Sequence, residues 1–222
     1  MDIWLDTTHI RTIHKAVRCG LLSGVTTNPT LIAQAQCDLE EILENLLHHQ
    51  EGPVTAQVVA EETSEIVQQG QSLYDLSNRL VIKIPLTKNG LEALQLLSRQ
   101  GIPTMATAIY HPRQALMAAL AGADYVAPYL GRLKNEGGDP WTMLKMIVHI
   151  FQTYNLKTRI LGASLNTVED VMHCAEMGIY GVTIKDELFE KLIETDPLTL
   201  KAVEQFANDW KNVSTPLFVS SS

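Results

Sequence analysis

Short apolar segments alternate with amphipathic, helix-like segments about eight times along this chain of 222 residues. The apolar segments are rich in Val and Ile, which is typical of strands buried on both faces of a parallel sheet. Strict alternation favours such a sheet, and eight units favour closure into a barrel over an open doubly wound sheet. No GxGxxG or GxxxxGKS/T pattern follows any strand, which argues against the nucleotide-binding open sheet. We therefore predict an α/β protein, a single (β/α)8 TIM barrel domain spanning residues 1–222.

Glycines and prolines divide the predicted elements. Gly20, Gly101, Gly122 and Gly178 each precede a strand, where glycine commonly ends a helix. A longer loop is predicted at 131–139, and an extra amphipathic helix at about 198–211 follows the barrel. The predicted strands are Ile3–Asp6, Gly24–Thr27, Val54–Val59, Leu80–Pro85, Pro103–Thr107, Tyr125–Ala127, Arg159–Ala163 and Gly181–Ile184.

Charge and composition exclude several classes of protein. The formal net charge of -8 argues against non-specific binding to nucleic acid or to anionic membranes. No apolar stretch approaches the roughly 20 residues of a membrane span, and no secretory signal is visible at the N-terminus. The three cysteines form no CxxC pattern, which fits structural thiols in a reducing cytoplasm. We expect a cytoplasmic protein that binds neither nucleic acid nor membrane.

One lysine interrupts the fourth strand. Lys83 lies within the apolar run Leu80–Pro85. Burial disfavours the ammonium form and lowers the pKa of a lysine towards the nucleophilic amine, as required for Schiff-base chemistry. The alternative is a lysine at a strand end with its amino group in solvent. The run by itself leaves both interpretations open.

Polar residues follow most of the predicted strands, where the chemistry of such barrels is located. Each of them alone is more often a helix cap or a turn residue, but barrel closure would direct all of them into one mouth. The residues at these positions are Asp6, Thr26, Thr27, Asn28, Gln57, Lys83, Thr107, Tyr129, Ser164 and Lys185.

Metal catalysis is the main chemical alternative to a lysine nucleophile. The seven histidines are scattered, mostly in predicted helices, and show no HxH or HExxH spacing. The sequence therefore predicts no metal site.

Five segments together resemble the small-subunit transaldolase family, and within it they look most like the fructose-6-phosphate aldolases. The resemblance runs in order along nearly the whole chain. The segments are Leu5-Asp6-Thr7, Gly24-Val25-Thr26-Thr27-Asn28-Pro29, Ala56-Gln57-Val58, Val81-Ile82-Lys83-Ile84-Pro85 and Tyr125-Val126-Ala127-Pro128-Tyr129.

The resemblance implies a class I aldolase that needs no cofactor. Lys83 would form an iminium ion with the ketone of fructose 6-phosphate or a similar ketose. Asp6 would take the proton of the hydroxyl that becomes the aldehyde. Thr26 and Asn28 match family positions at the mouth, where Asn28 would hydrogen-bond to the substrate or to Lys83. The alternative for Asn28 is a turn residue before Pro29. The products would be dihydroxyacetone and glyceraldehyde 3-phosphate.

Cleavage of the C3–C4 bond would leave an enamine on Lys83. Two positions bear on whether this enamine is protonated and released or transferred to an acceptor aldehyde. Transaldolases of the family typically carry glutamate and phenylalanine where this chain has Gln57 and Tyr129. The phenol of Tyr129 could protonate the enamine, and Gln57 and Thr107 could hold the water involved. This pair favours an aldolase, with a transaldolase of the pentose phosphate pathway as the alternative. A more remote alternative is a non-catalytic barrel that binds sugar phosphates.

The resemblance also implies a phosphate subsite. Arg132 matches the arginine that binds phosphate in the family, and Ser164 adds a hydroxyl and a possible helix N-terminus. The family usually has a basic residue two positions after this serine, but this chain has Asn166. Lys185 follows the eighth strand and could restore the charge, since loops after strands seven and eight often bind phosphate in barrels. The alternative is a surface lysine paired with Asp186 or Glu187.

Relatives assemble as decamers of two pentamers, so the resemblance implies a homo-oligomer. The last helix has apolar residues near a helical period, at Leu198, Ala202, Val203, Phe206 and Trp210. This face could pack on the same subunit or on a neighbouring one.

Overall fold

Eight parallel strands close into a barrel in chain order in a computed structural model, which describes residues 1–213. Each strand pairs with its neighbours in the sequence, and β8 closes the ring on β1. The predicted (β/α)8 barrel is therefore confirmed. The strands are β1 (Asp2–Asp6), β2 (Leu22–Thr26), β3 (Val54–Gln57), β4 (Leu80–Pro85), β5 (Thr104–Ile109), β6 (Tyr125–Pro128), β7 (Arg159–Gly162) and β8 (Gly181–Ile184).

Eleven helices accompany the strands within the described residues. Helices after β2, β6 and β8 come in pairs. The second helix after β8 is the predicted extra one, while the pairs after β2 and β6 make the alternation less strict than the sequence predicts. The helices are α1 (Ile10–Arg18), α2 (Pro29–Ala35), α3 (Leu39–His49), α4 (Thr63–Leu76), α5 (Lys88–Arg99), α6 (Pro112–Leu120), α7 (Leu130–Asn135), α8 (Pro140–Thr153), α9 (Val168–Glu176), α10 (Asp186–Leu192) and α11 (Pro197–Trp210).

The predicted loop at 131–139 is wrong in part, because α7 occupies most of it. This short helix starts directly after Tyr129, and its first residues, Leu130 and Gly131, are buried. The burial of Leu130 fixes the segment against the barrel, and Gly137 then ends it with a positive φ of 80°.

The pairing of the strands sets which side chains share the mouth of the barrel. Asp6 lies opposite Thr26, and Gln57 lies opposite Lys83. Thr107 lies opposite Pro85, two residues beyond Lys83. The carboxyl-terminal ends of β1 to β5 therefore present their polar residues at one rim, as expected for a barrel of this kind.

Large side chains fill the barrel below this rim. Trp4, Val81, Met105, Tyr125 and Leu161 form one buried cluster. Since side chains alternate along a strand, Lys83 shares the inward face of β4 with Val81, while Leu80, Ile82 and Ile84 face the helices. Burial of each large apolar side chain stabilises the fold by about 1.5–3 kcal/mol.

The chain divides into two compact units, residues 1–189 and the residues from Glu190 onward. The first contains the barrel. The second contains α11, in the place predicted for the last helix, and its apolar residues Leu198, Val203 and Phe206 are exposed. The single domain over 1–222 and the homo-oligomer stay predictions.

Within residues 1–213, every helix is too short or too polar to cross a bilayer.

Candidate active site

A cavity of about 440 Å³ opens at the carboxyl-terminal end of the barrel. Eight of the ten predicted site residues line it, together with a few neighbours of the loop after β2. Thr26 and Thr107 do not line it, but each bonds to a residue that does. The predicted residues in the wall are Asp6, Asn28, Gln57, Lys83, Tyr129, Arg132, Ser164 and Lys185.

Lys83 is buried in this wall, with 5% of its surface exposed. The interpretation of a lysine with its amino group in solvent is therefore wrong. Burial lowers the pKa of Lys83 below its ordinary value of 10.5; the charge of Asp6 opposes this, and the charge of Arg132 adds to it. The side-chain nitrogen Nζ donates a hydrogen bond of 2.9 Å to the backbone carbonyl of Thr27.

The acceptor of this hydrogen bond is itself held in place. The backbone amide of Thr27 donates to Oγ1 of Thr55 at 3.0 Å, and the Thr27 hydroxyl donates to the Thr55 carbonyl at 2.6 Å. Both threonines are buried. The loop after β2 is thus fixed to β3, which gives Lys83 a rigid partner.

Asp6 is the only carboxylate in the described wall of the cavity. Its Oδ1 accepts a hydrogen bond of 2.8 Å from the Thr26 hydroxyl, and Asn28 Nδ2 lies 3.3 Å from both carboxylate oxygens. The Thr26 hydroxyl also lies 2.6 Å from the hydroxyl of Thr183 at the end of β8. These contacts orient the carboxylate and hold it beside Lys83.

Asn28 has two functions at once. Its Nδ2 contacts Asp6, while its Oδ1 accepts from the backbone amide of Leu31 at 3.1 Å and caps α2. The local backbone role proposed as the alternative is therefore real, and it fixes the amide towards the carboxylate.

Thr183 lines the cavity but is absent from the predicted site. It stands in β8 two residues after Gly181, on the same face of the strand. That period could have revealed it, since an inward polar residue at the end of a barrel strand lies at the mouth.

Tyr129 lies at the end of β6, where its hydroxyl is 3.1 Å from that of Thr107. The Tyr110 ring packs edge-on against it with centroids 5.7 Å apart, and the Arg132 guanidinium lies 4.8 Å from its ring centroid. A break in the β5–β6 pairing after Ala106, with Ala108 at a positive φ of 56°, brings Tyr110 to this position. Tyr110 is absent from the predicted site, because the sequence shows no sign of this bulge.

Gln57 has an unsatisfied polar atom. Its Oε1 is buried and has no hydrogen-bond partner among the described residues. A buried acceptor without a partner costs about 1–3 kcal/mol, so a donor from a ligand or water would be favourable here. Gln57 lies in register with Lys83 on the adjacent strand.

The helix N-terminus suggested after Ser164 carries a carboxylate of its own, that of Asp170 at the start of α9. Asp170 is buried, and its Oδ2 accepts from the backbone amides of Asn166 at 3.2 Å and Thr167 at 3.1 Å. Burial by itself would raise the pKa of Asp170, but these amides and Lys134, at 3.3 Å, lower it overall. These two amides are therefore taken, and the Asp170 carboxylate is paired with Lys134.

Lys185 is exposed and lies in the wall of the cavity. The suggested ion pair with Asp186 does not form, since Asp186 Oδ2 accepts from the Thr7 hydroxyl at 3.1 Å and contacts His9 Nδ1. Asn166 does not line the cavity. Among residues 1–213, no group of three or more His, Cys, Asp or Glu side chains is placed to hold a metal ion.

These features define a parallel (β/α)8 barrel with a buried lysine and a carboxylate at its mouth. The sequence profile described as transaldolase/fructose-6-phosphate aldolase matches residues 3–217. The chain belongs to this family.

Similar proteins agree with this placement. A probable transaldolase of Coprothermobacter proteolyticus is 41% identical over 213 residues, covering 96% of this chain and 98% of that protein. A probable transaldolase of Desulfosudis oleivorans is 40% identical, covering 95% and 98%. Probable transaldolase 1 of Listeria monocytogenes is 36% identical, covering 95% and 98%.

Among solved structures, a mandelate oxidase mutant with a monooxide FMN adduct is similar in fold. Its TM-score is 0.56 at 15% identity, and the match covers 83% of this chain and 63% of the oxidase. At this level of identity the likeness concerns the barrel alone.

Proposed function

We propose that this chain is a class I aldolase in which Lys83 forms a Schiff base with a ketose. The observation that carries the proposal is the burial of Lys83 beside Asp6, in a cavity that also holds Tyr129. Burial lowers the pKa of Lys83, so more of the amine is unprotonated and nucleophilic than in an exposed lysine. The substrate class is fructose 6-phosphate or a similar ketose.

Cleavage begins with attack of Lys83 Nζ on the ketone carbon C2. Water leaves, and an iminium ion forms. The C3–C4 bond then breaks, and its electron pair passes to the iminium to give an enamine. Asp6 takes the proton of the C4 hydroxyl, whose oxygen becomes the aldehyde of glyceraldehyde 3-phosphate. The contacts of Thr26 and Asn28 with Asp6 orient it for this transfer.

Release of the enamine distinguishes an aldolase from a transaldolase. Protonation at C3 followed by hydrolysis of the iminium frees dihydroxyacetone and restores the Lys83 amine. Tyr129 supplies a phenol beside Thr107, and Gln57 offers an unpaired acceptor in register with Lys83. These groups are suited to hold a water and to deliver a proton, which favours release.

A transaldolase is the second candidate, and the relatives favour it. Proteins of 36–41% identity over nearly the whole chain are named probable transaldolase. In a transaldolase the same Lys83 enamine waits for an acceptor aldehyde instead of being protonated. The two candidates share every step up to the enamine.

Reductive trapping tests the shared chemistry. Borohydride added with dihydroxyacetone reduces an iminium to a stable amine, so mass spectrometry is expected to show the adduct on Lys83. The Lys83→Met variant should show none, and the exposed Lys157 should remain unmodified in both proteins. If wild type gives no adduct on Lys83, the proposed chemistry is wrong, and the remaining interpretation is a barrel that only binds sugar phosphates.

Release without an acceptor separates the two candidates. Incubation with fructose 6-phosphate alone is expected to liberate free dihydroxyacetone, measured by coupled reduction. Addition of an acceptor such as erythrose 4-phosphate measures transfer in parallel. Transfer that greatly exceeds acceptor-free release would assign the chain to the transaldolases.

A further inference from the structure

We propose that Lys185 supplies the second cation of the phosphate end of the cavity and so makes the enzyme selective for phosphorylated substrates. The proposal rests on the function proposed above and names a specificity residue for that site. Lys185 lies at the first position after β8, and its side chain lines the same cavity as Lys83.

The order of the strands places Lys185 across the mouth of the barrel from Lys83. Arg132, Ser164 and Lys185 follow β6, β7 and β8, which are consecutive neighbours in the closed barrel. Lys83 belongs to β4, four strands from β8 and therefore on the opposite side of the ring. A ketose phosphate that spans the mouth, with its carbonyl at Lys83, would direct its far end towards the β6–β8 side.

The charges of the cavity favour an anion on that side. Besides Lys83, the wall contains two cations, Arg132 and Lys185, against the single carboxylate of Asp6. Asp6 is engaged by Thr26 and Asn28 near β1 and β2. Within residues 1–213, the ammonium of Lys185 has no hydrogen-bond or ion-pair partner. A phosphate dianion would give both cations a counter-charge.

The other source of binding energy on that side is already used. The backbone amides of Asn166 and Thr167 donate to Asp170, whose carboxylate also pairs with Lys134 at 3.3 Å, so these amides and Lys134 are already engaged. Asn166 itself carries no charge. A phosphate dianion bound by Arg132 calls for a second cation. This cation is therefore Lys185, in the loop after β8, and not a residue of the loop after β7.

The neighbour of Lys185 is fixed in place, which holds the lysine at the mouth. Asp186 accepts a hydrogen bond of 3.1 Å from the buried Thr7 hydroxyl and contacts His9, both in the segment after β1. This contact ties the start of α10 to the end of β1. The backbone that carries Lys185 is thereby anchored on the strand next to β8.

Substitutions that separate charge from side-chain size test the proposal. Lys185→Gln removes the charge at similar length, Lys185→Arg keeps the charge, and Lys157→Gln removes a matched exposed charge at the opposite end of the barrel, before β7. Binding of inorganic phosphate, followed by ³¹P NMR titration, needs no turnover. The second measurement is the ratio of kcat/KM for fructose 6-phosphate to that for fructose.

We expect Lys185→Gln to weaken phosphate binding about ten- to a hundredfold, the range for loss of a charge-assisted contact, and to lower the substrate ratio in parallel. Lys185→Arg should stay within about threefold of wild type, and Lys157→Gln should equal it. Phosphate binding by Lys185→Gln that matches wild type overturns the proposal. Failure of the aldol chemistry would show instead as a missing borohydride adduct on Lys83, with the phosphate titration unaffected.

Discussion

Lys83 Nζ donates to the carbonyl oxygen of Thr27 at 2.9 Å, across the intervening strand β3. A neutral amine that donates one N–H to a fixed carbonyl still has a lone pair to offer, and the cavity lies beside it. The bond therefore orients the nucleophile without protonating it. An acidic side chain in place of this carbonyl would favour the ammonium form instead.

The burial of Lys83 predicts a dependence of stability on pH. Its folded pKa is below the unfolded value of 10.5, so between the two the unfolded chain binds more protons than the folded one. Stability must then rise with pH through that window, by at most about 1.4 kcal/mol per pH unit. We expect wild type to gain unfolding free energy relative to Lys83→Met as the pH rises towards 10.5, measured by urea titration. A difference that is constant with pH would contradict the lowered pKa.

The two neighbouring charges should move the pKa of Lys83 in opposite directions. The charge of Asp6 raises this pKa, and that of Arg132 lowers it. Asp6→Asn is therefore expected to shift the labelling of Lys83 by an amine-reactive reagent to lower pH, and Arg132→Gln to higher pH. Competitive labelling followed by mass spectrometry measures both without substrate. Lys157→Gln serves as the control and should leave the profile unchanged; shifts of the same sign in both site variants would exclude this arrangement.

Tyr129→Phe should convert release into transfer. Under the proposed mechanism, the phenol of Tyr129 protonates the enamine, and general acid–base groups typically contribute about 10²–10⁴-fold. We expect acceptor-free release of dihydroxyacetone to fall by at least about 100-fold, while borohydride trapping persists and transfer to an added aldehyde falls much less. Tyr110→Phe is the matched control, because its ring packs on Tyr129 and retains the same shape. Unchanged release in Tyr129→Phe would remove Tyr129 from the proposed mechanism.

Gly131→Ala tests the contact between α7 and the loop after β7. A Cβ at position 131 would clash with the backbone oxygen of Ser164, so one of the two segments must shift. We expect a loss of about 1–3 kcal/mol in unfolding free energy, the usual range for overpacking. The shift also displaces Arg132, so KM for fructose 6-phosphate should rise more than kcat falls. If Gly131→Ala matched wild type in unfolding free energy and in KM, α7 and the loop after β7 would separate without loss of free energy, contrary to this prediction.

Much of this architecture could be predicted from the sequence, because the fold depends on periodic apolar segments. Lys83 stands out because a charged residue interrupts a buried strand, and Asp6 because it ends the first one. The register of parallel strands then brings residues far apart in sequence to one rim, which is why the polar strand ends are informative together.

The features that the sequence could not reveal depend on backbone atoms or on tertiary pairing. The acceptor for Lys83 is a main-chain carbonyl, which any residue at position 27 would provide. The contact between Thr26 and Thr183 joins residues 157 positions apart. Asp170 resembles an ordinary residue of a helix start, and only the structure shows that its carboxylate engages the amides of Asn166 and Thr167.

The closure of the ring gives the proposed site a fixed length. Lys83 and Lys185 belong to β4 and to the end of β8, which are half a turn apart around the eight strands. A closed barrel cannot widen without breaking its inter-strand hydrogen bonds, so the distance across the mouth is set by the number of strands. Under the proposed function, this distance determines how long the carbon chain between the carbonyl and the phosphate must be. A ketose phosphate with fewer carbons would reach one lysine but not both.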